Sequence, residues 1–484
     1  MVRRVRTPAG SRRYDQPIGS VIAPDLLPHT ADLTPEQDRH LDALRNHPVN
    51  RLLGQKFAEA GHPLFLVGGS VRDALAGHPD FADLDYTTDA TPDEIHEIVD
   101  ALGPSWGMGE QFGTVGIQID GLKTEVTTFR TERYDEASRK PVVDFGDNIL
   151  DDLRRRDLTM NAMALTLASD GVHPVGSLVD PHHGADDLTD GLLRTPDDPA
   201  KSMSEDPLRQ LRVVRFAAKR NAAPEPELRK AIIDLSDRLE IISAERKTAE
   251  LRKILEGGPD TTFRAMNLAV DLGVAQDLFG GLDVSDSARL AMTMLPERAD
   301  PVAQLALLAY FTGDNPARLM SQMRLSNEEA RPALAAAKLA HHLGTQASLD
   351  AARSVVRSND DDTIRRAMVI AEAVDNKGWL FDAVKHTMRD RDLVATIRGP
   401  LPVDGNDLTA AGLKGPEVGR AVQKVTAAFL AKPSLTRSEA LRAAGVPDPD
   451  SDDDPVLTRD IGEMPPGSRW AQLVPDAVDH PDES

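Results

Sequence analysis

A chain of 484 residues with 40% hydrophobic residues is too long for one ordinary domain and apolar enough for several cores. It contains no cysteine, which excludes disulfide scaffolds and cysteine-ligated zinc, and no apolar run approaches the roughly 18 residues of a membrane span. The net charge of −22 argues against nucleic-acid binding by the whole surface, but residues 448–484 carry 11 acidic and 2 basic residues, which leaves −13 for the remainder and room for a local basic groove.

In chain order, residues 1–35 read as a polar, disordered arm. Its Arg3, Arg4, Arg6, Arg12 and Arg13 have no apolar stretch behind them, so it is not a secretory signal. An amphipathic helix follows, with Leu41, Leu44, Leu52 and Leu53 among charged residues. Leu64-Phe65-Leu66-Val67 is a short apolar run ended by Gly68-Gly69, which predicts a buried strand and a turn. Val71–Ala76 reads as helix and Asp83–Thr87 as strand. Thr91-Pro92-Asp93-Glu94 has a capping-box pattern with proline at the first helical position. Val115–Ile119 and Lys123–Phe129 are strands joined by Asp120-Gly121, a hairpin signal. From Leu150 onward helices dominate, and Asp206–Arg220 reads as one of them. The fold class expected is α+β: a mixed head followed by helical units.

Asp83 and Asp85 lie two apart on the predicted strand, so both carboxylates face the same side. Two hard oxygen ligands on a strand suit Mg²⁺, which completes its shell with water and phosphate. Glu125, on the later strand, is a candidate third carboxylate. An isolated Asp-x-Asp is more often a solvated strand end. The strand, Gly-Gly turn and helix start just before it change the balance, because such a turn offers backbone N–H groups to a triphosphate and Arg72 adds charge.

Gly68-Gly69-Ser70-Val71-Arg72-Asp73 followed by Asp83-Leu84-Asp85 resembles the head of class II CCA-adding tRNA nucleotidyltransferases and bacterial poly(A) polymerases, within the polymerase β-like superfamily. Leu150-Asp151-Asp152-Leu153-Arg154-Arg155-Arg156-Asp157-Leu158-Thr159-Met160-Asn161-Ala162 resembles the family's next motif; the arginines bind phosphate or pair with Asp151 and Asp152. The resemblance implies that Arg156 contacts the nucleotide and that Asn161 shapes the site. Asp180-Pro181, Gly184, Asp187-Leu188 and Gly191-Leu192-Leu193-Arg194 are similar to the family's link from head to neck. His182 and His183, adjacent on one loop, are not read as metal ligands.

Glu205-Asp206-Pro207-Leu208-Arg209-Gln210-Leu211-Arg212-Val213-Val214-Arg215-Phe216 carries the most specific pattern. On a helix, Asp206 and Arg209 share a face. Cytosine and adenine each offer an exocyclic amine donor beside a ring-nitrogen acceptor, so one carboxylate and one guanidinium can read both; guanine and uracil reverse that order. The alternative is an intrahelical ion pair worth a few tenths of a kcal/mol. The resemblance implies that Asp206 and Arg209 touch the base, with Arg212 and Arg215 nearer the triphosphate.

The chain has no His-Asp dipeptide, so no HD phosphohydrolase site is expected; Leu305–Phe311 fills the corresponding stretch with apolar and aromatic residues. Val418, Val422, Val425 and Phe429 form one apolar helical face, read as core, within a segment from Pro400 to Pro433 that resembles the tRNA-gripping tail of the family. The expected organisation is arm 1–35, nucleotidyltransferase head 36–180, base-reading neck 181–280, helical body 281–398, tRNA-binding tail 399–446 and an acidic, disordered tail 447–484. The resemblance implies a cytoplasmic enzyme that adds CCA to tRNA from CTP and ATP with Mg²⁺; poly(A) addition, CC-only or A-only addition, and a non-catalytic RNA-binding role are the alternatives.

Overall fold

The computed structural model describes residues 33–78, 84–107, 113–133, 142–146, 148–313 and 315–448. The arm before Leu33, Asp83 and the acidic tail beyond Asp448 lie outside the described residues. The chain divides into two compact units at Gly281/Leu282.

The first unit opens with α1 (Pro35–Arg45), α2 (Pro48–Ala60), β1 (Leu64–Val67), α3 (Gly69–Leu75), β2 (Leu84–Thr88) and α4 (Pro92–Val99). The strands β3 (Ser105–Gly107), β4 (Thr114–Ile119), β5 (Leu122–Thr128), β6 (Arg130–Arg133) and β7 (Val142–Phe145) follow, then α5 (Ile149–Arg154), β8 (Ala164–Ala168), β9 (Leu178–Val179), α6 (Gly184–Asp190) and β10 (Leu192–Leu193). Next come α7 (Pro199–Glu205), α8 (Leu208–Arg220), β11 (Ala223–Pro224), α9 (Pro226–Asp234), α10 (Ala244–Leu255), α11 (Pro259–Asp271) and α12 (Ala275–Phe279).

The main sheet runs β3-β4-β5-β2-β1-β8-β9. Only the β2–β5 pair within it is parallel. β1 is apolar on both faces because both are covered. Leu64 and Leu66 join a large core with Leu53, Phe57, Tyr86, Ile117 and Val126. Phe65 and Val67 join a smaller cluster with Phe129, Leu153, Ala162 and Ala164. β2 and β5 alternate instead. Leu84, Tyr86 and Val126 point into the large core, which leaves Asp85, Thr87, Glu125 and Thr127 on the opposite face. The middle of the sheet therefore has one polar face, and that face carries the site.

Local signals explain several boundaries. Thr91 accepts from the Glu94 backbone while the Glu94 carboxylate accepts from Thr91, a closed capping box. Asp120 and Gly121 take φ of 50° and 85°, the left-handed pair that a two-residue hairpin demands. On β4, the Trp106 ring lies across Gly116, only 2.5 Å from where a Cβ would stand, so this position admits glycine alone.

Two segments depart from the sequence expectation. β8 lies in the stretch from Leu150 onward where helices were expected to dominate; Ala164, Leu165 and Leu167 are good helix formers, but the segment is buried beside β1 and β9, and tertiary packing overrides propensity. The expected helix Asp206–Arg220 begins only at Leu208. Asp206 is extended, at φ −130° and ψ 96°, and closes α7, because the ring of Pro207 disfavours a helical residue before it. Asp206 and Arg209 thus meet across a joint between two helices rather than along one helix face.

The second unit is helical from Asp286–Met294 to Arg437–Ala444. Its helix Pro301–Phe311 is buried from Ala303 to Ala309. The His341 ring stacks on Tyr310 at 3.8 Å between centroids, and its Nε2 lies 3.1 Å from the Tyr310 carbonyl oxygen. Val425 and Phe429 are buried as expected of a core face, and Val403, Leu408, Ala421, Val425 and Leu441 form a separate cluster near residue 446. Among the described residues, no helix is long and apolar enough to cross a membrane.

Candidate active site

The site assembles on the polar face of the sheet in the first unit. Asp85 and Glu125 are partners in the parallel β2–β5 register. Neighbouring strands stand about 4.8 Å apart, so the two carboxylates rise side by side. Both are partly exposed and both line the same cavity. Two hard oxygen donors in this arrangement fit a divalent cation. No third described His, Asp or Glu joins them, and Asp83 lies outside the described residues.

Next to the carboxylates, β1 ends in the Gly68-Gly69 turn. Gly68 has φ 75° and ψ −127°, a backbone conformation open essentially to glycine. Gly69 begins α3. A Cβ on Gly68 would stand 3.5 Å from Nη1 of Arg156, and one on Gly69 would stand 3.6 Å from Nη2 of Arg72, so the turn runs directly beneath two guanidinium groups.

A polar chain fixes those guanidiniums. Arg72 binds Asp73 at 2.8 and 2.9 Å, and its Nη1 donates to Oδ1 of Asn161 at 2.5 Å. Asn161 Nδ2 donates in turn to Asp157 at 2.9 Å, and Arg212 closes on the other Asp157 oxygen at 2.7 Å. Arg220 binds Asp73 from α8. Asp152, fully buried at the end of α5, holds both Arg155 and Arg156 at 3.0 Å. Arg154 turns away to Asp197 at 3.3 Å. Asn161 thus bridges Arg72 and Asp157.

Burial dominates the electrostatics, and paired charges answer it. Burial by itself would raise the Asp157 carboxyl, but Arg212 and the Asn161 amide hold it down to about 2. Burial lowers Arg72 to about 10, with Arg212 acting in the same sense and Asp157 against it. Arg72 remains charged at neutral pH.

The α7–α8 joint supplies the remaining groups. Arg209 donates to Ser202 Oγ at 2.7 Å and to the Arg155 carbonyl at 2.6 Å. Both Asp206 oxygens stand 3.3 Å from Nη2 of Arg246 on α10. Gly68, Gly69, Arg72, Asp85, Arg156, Asn161, Asp206, Arg209 and Arg212 all line one cleft of about 380 Å³. Six arginines and three aspartates line it, so a chain of net charge −22 encloses a positive site.

Arg215 does not line that cleft. It is 8% exposed, bonds Glu250 at 2.5 Å and covers the Phe216 ring at 4.1 Å. The resemblance implied a place for Arg215 nearer the triphosphate; the structure places its guanidinium on Glu250 and Phe216. Asp157, Arg155, Phe216 and Arg246 also line the cleft and were not chosen as site residues. Asp157 and Arg155 stood within the recognised arginine motif; Arg246, 40 residues beyond Asp206, carried no sequence signal.

The segment from Asp180 to Arg194 is tied down by polar contacts. Asp180 accepts from the Gly184 and Ala185 amides at 2.7 and 2.9 Å. Asp187 accepts from Thr159 Oγ1 at 2.6 Å and pairs with Arg194. His183 faces Asp186 at 3.5 Å.

Comparison with known proteins gives the following likenesses. Residues 64–194 match the poly A polymerase head domain, and residues 223–285 match the probable RNA and SrmB-binding site of polymerase A. A CCA-adding enzyme of Bacillus licheniformis is 32% identical over 353 residues, 72% of this chain and 78% of the relative. A CCA-adding enzyme of Geobacillus sp. strain WCH70 is 36% identical over 230 residues, 47% of this chain and only 54% of the relative's length. The crystal structure of the Bacillus stearothermophilus CCA-adding enzyme in complex with CTP superposes with a TM-score of 0.63 at 25% identity, over 79% of this chain and 92% of that one.

Proposed function

The chain belongs to the family of the CCA-adding enzymes, and from that membership we propose that it adds CCA to the 3′ end of tRNA, using CTP and ATP and releasing pyrophosphate. The observation that carries the proposal is the shared cleft: it is lined by Asp85, whose strand partner is Glu125, by guanidinium groups over a glycine turn, and by Asp206 with Arg209.

The protein's own groups divide the work. Asp206 accepts from the exocyclic amine of cytosine or adenine, and Arg209 donates to the adjacent ring nitrogen. Uracil and guanine present a donor where Arg209 needs an acceptor. Arg72, Arg156 and Arg212 neutralise the triphosphate over the Gly68-Gly69 turn, and Asn161 keeps Arg72 aimed at it. Asp83, Asp85 and Glu125 would hold Mg²⁺, which when bound supplies activation of the 3′-hydroxyl and charge neutralisation at the leaving pyrophosphate. Arg215 supports the site through Phe216 and Glu250 rather than through the nucleotide. We assign catalysis to the head, base reading to the neck and the grip on tRNA to residues 399–446, the whole acting in the cytoplasm.

The test uses tRNA lacking its CCA end, Mg²⁺, and CTP, ATP or both. The expected products are two added cytidines with CTP alone and CCA with both. Long A tails on unrelated RNA would overturn the proposal in favour of poly(A) addition.

A further inference from the structure

Beside the nucleotide cleft lies a second cavity of about 290 Å³ that the base-reading scheme leaves unused. It shares Asp85, Arg155 and Arg156 with the cleft; Glu125 and Asp152 line it as well, and Thr87, Thr114, Thr127 and Arg130 form a threonine-rich side. The strand register explains the lining. Thr87 and Thr127 are cross-strand partners one pleat beyond Asp85 and Glu125, and Thr114 is the partner of Thr127 on β4. Thr127 and Thr114 share a hydrogen bond at 3.0 Å, and Arg130 Nη2 donates to Thr114 Oγ1 at 2.7 Å. Thr87 is different. It is 1% exposed, yet its hydroxyl has no hydrogen-bond partner among the described residues. A buried hydroxyl left unpaired is costly, and such a group is retained where a ligand satisfies it.

Nucleotidyl transfer constrains what this bay can hold. With the triphosphate on one side of Asp85, the attacking hydroxyl must approach from the other, and Asp85 lines both cavities. A 3′-terminal ribose carries its attacking 3′-hydroxyl next to a 2′-hydroxyl, which both donates and accepts hydrogen bonds as a threonine hydroxyl does. We propose that the threonine-lined bay seats the terminal ribose of the acceptor RNA, that Thr87 reads its 2′-hydroxyl, and that Arg130 faces the last phosphodiester. This rests on the nucleotidyltransferase reading above and adds to it a basis for choosing RNA over DNA at the acceptor end.

The experiment compares two tRNA acceptors lacking CCA, identical except that one ends in ribose and the other in 2′-deoxyribose with its 3′-hydroxyl kept. CTP incorporation is measured as kcat/KM for the wild type, Thr87→Val and Thr87→Ser. The wild type should prefer the ribose end, and Thr87→Val, which keeps the shape and removes the hydroxyl, should lower that preference about five- to tenfold. Thr87→Ser should recover it. A general folding defect lowers both rates and leaves the ratio alone, so the ratio separates reading from structure. A wild type indifferent to the 2′-hydroxyl, or a Thr87→Val ratio equal to the wild type's, overturns the inference. A wild type that incorporates nothing on either acceptor overturns the nucleotidyltransferase reading instead.

Discussion

Asp157 shows how a single residue ties the site to the stability of the fold. It is 8% exposed and sits between Asn161 and Arg212. Its carboxyl is held at about 2 against an ordinary 3.8, with burial opposing and Arg212 prevailing. The folded value lies below the unfolded one, so the stabilisation is complete above about pH 4 and is lost as pH falls towards 2; a shift of this size corresponds to roughly 2 kcal/mol. Urea midpoints measured from pH 5 to pH 2 should therefore fall for the wild type. The same series for Asp157→Asn should start lower at pH 5, because Arg212 loses its buried carboxylate partner, and should decline less steeply. Equal slopes would show that this pair does not carry the acid sensitivity.

At the scale of the elements, the turn between β1 and α3 is the critical joint. Gly68 holds a backbone conformation that side chains rarely adopt, although a methyl group there would meet nothing closer than 3.5 Å. Gly68→Ala should thus act through strain, costing about 1–3 kcal/mol, and should raise KM for CTP by moving the turn under Arg156. Calorimetric melting and initial-rate kinetics check both parts; an unchanged melting temperature would refute the strain argument. The same joint shows what could be read from sequence. β1, the Gly-Gly turn, the Thr91 capping box and the Asp120-Gly121 hairpin were legible because each is specified by neighbours in the chain. Gly68, Gly69, Arg72, Asp85, Arg156, Asn161, Asp206, Arg209 and Arg212 were legible from motif resemblance and line the cleft; Arg155 and Asp157 line it too, although the resemblance did not single them out. β8 was not legible, because its alanines and leucines become a strand only beside β1. The break at Asp206 was carried by Pro207, yet the periodicity of the following helix masked it. Arg246 was invisible, since only the fold brings α10 to Asp206.

At the scale of the molecule, a chain of net charge −22 concentrates six arginines around one cleft, a local positive field suited to an anionic ligand. On the proposed function, that arrangement would hold any nucleoside triphosphate, and the choice of C and A without a template would fall to Asp206 and Arg209 on the two sides of the α7–α8 joint. The most direct measurement is the ratio of CTP to UTP incorporation, as kcat/KM, on tRNA lacking CCA, for the wild type and for Asp206→Ala. A site that pairs with a polar edge discriminates strongly against the edge that mismatches it, so the wild-type ratio should collapse by about a hundredfold in the variant while the triphosphate contacts persist. An Asp206→Ala enzyme that still prefers CTP to the wild-type degree would contradict base reading by this pair.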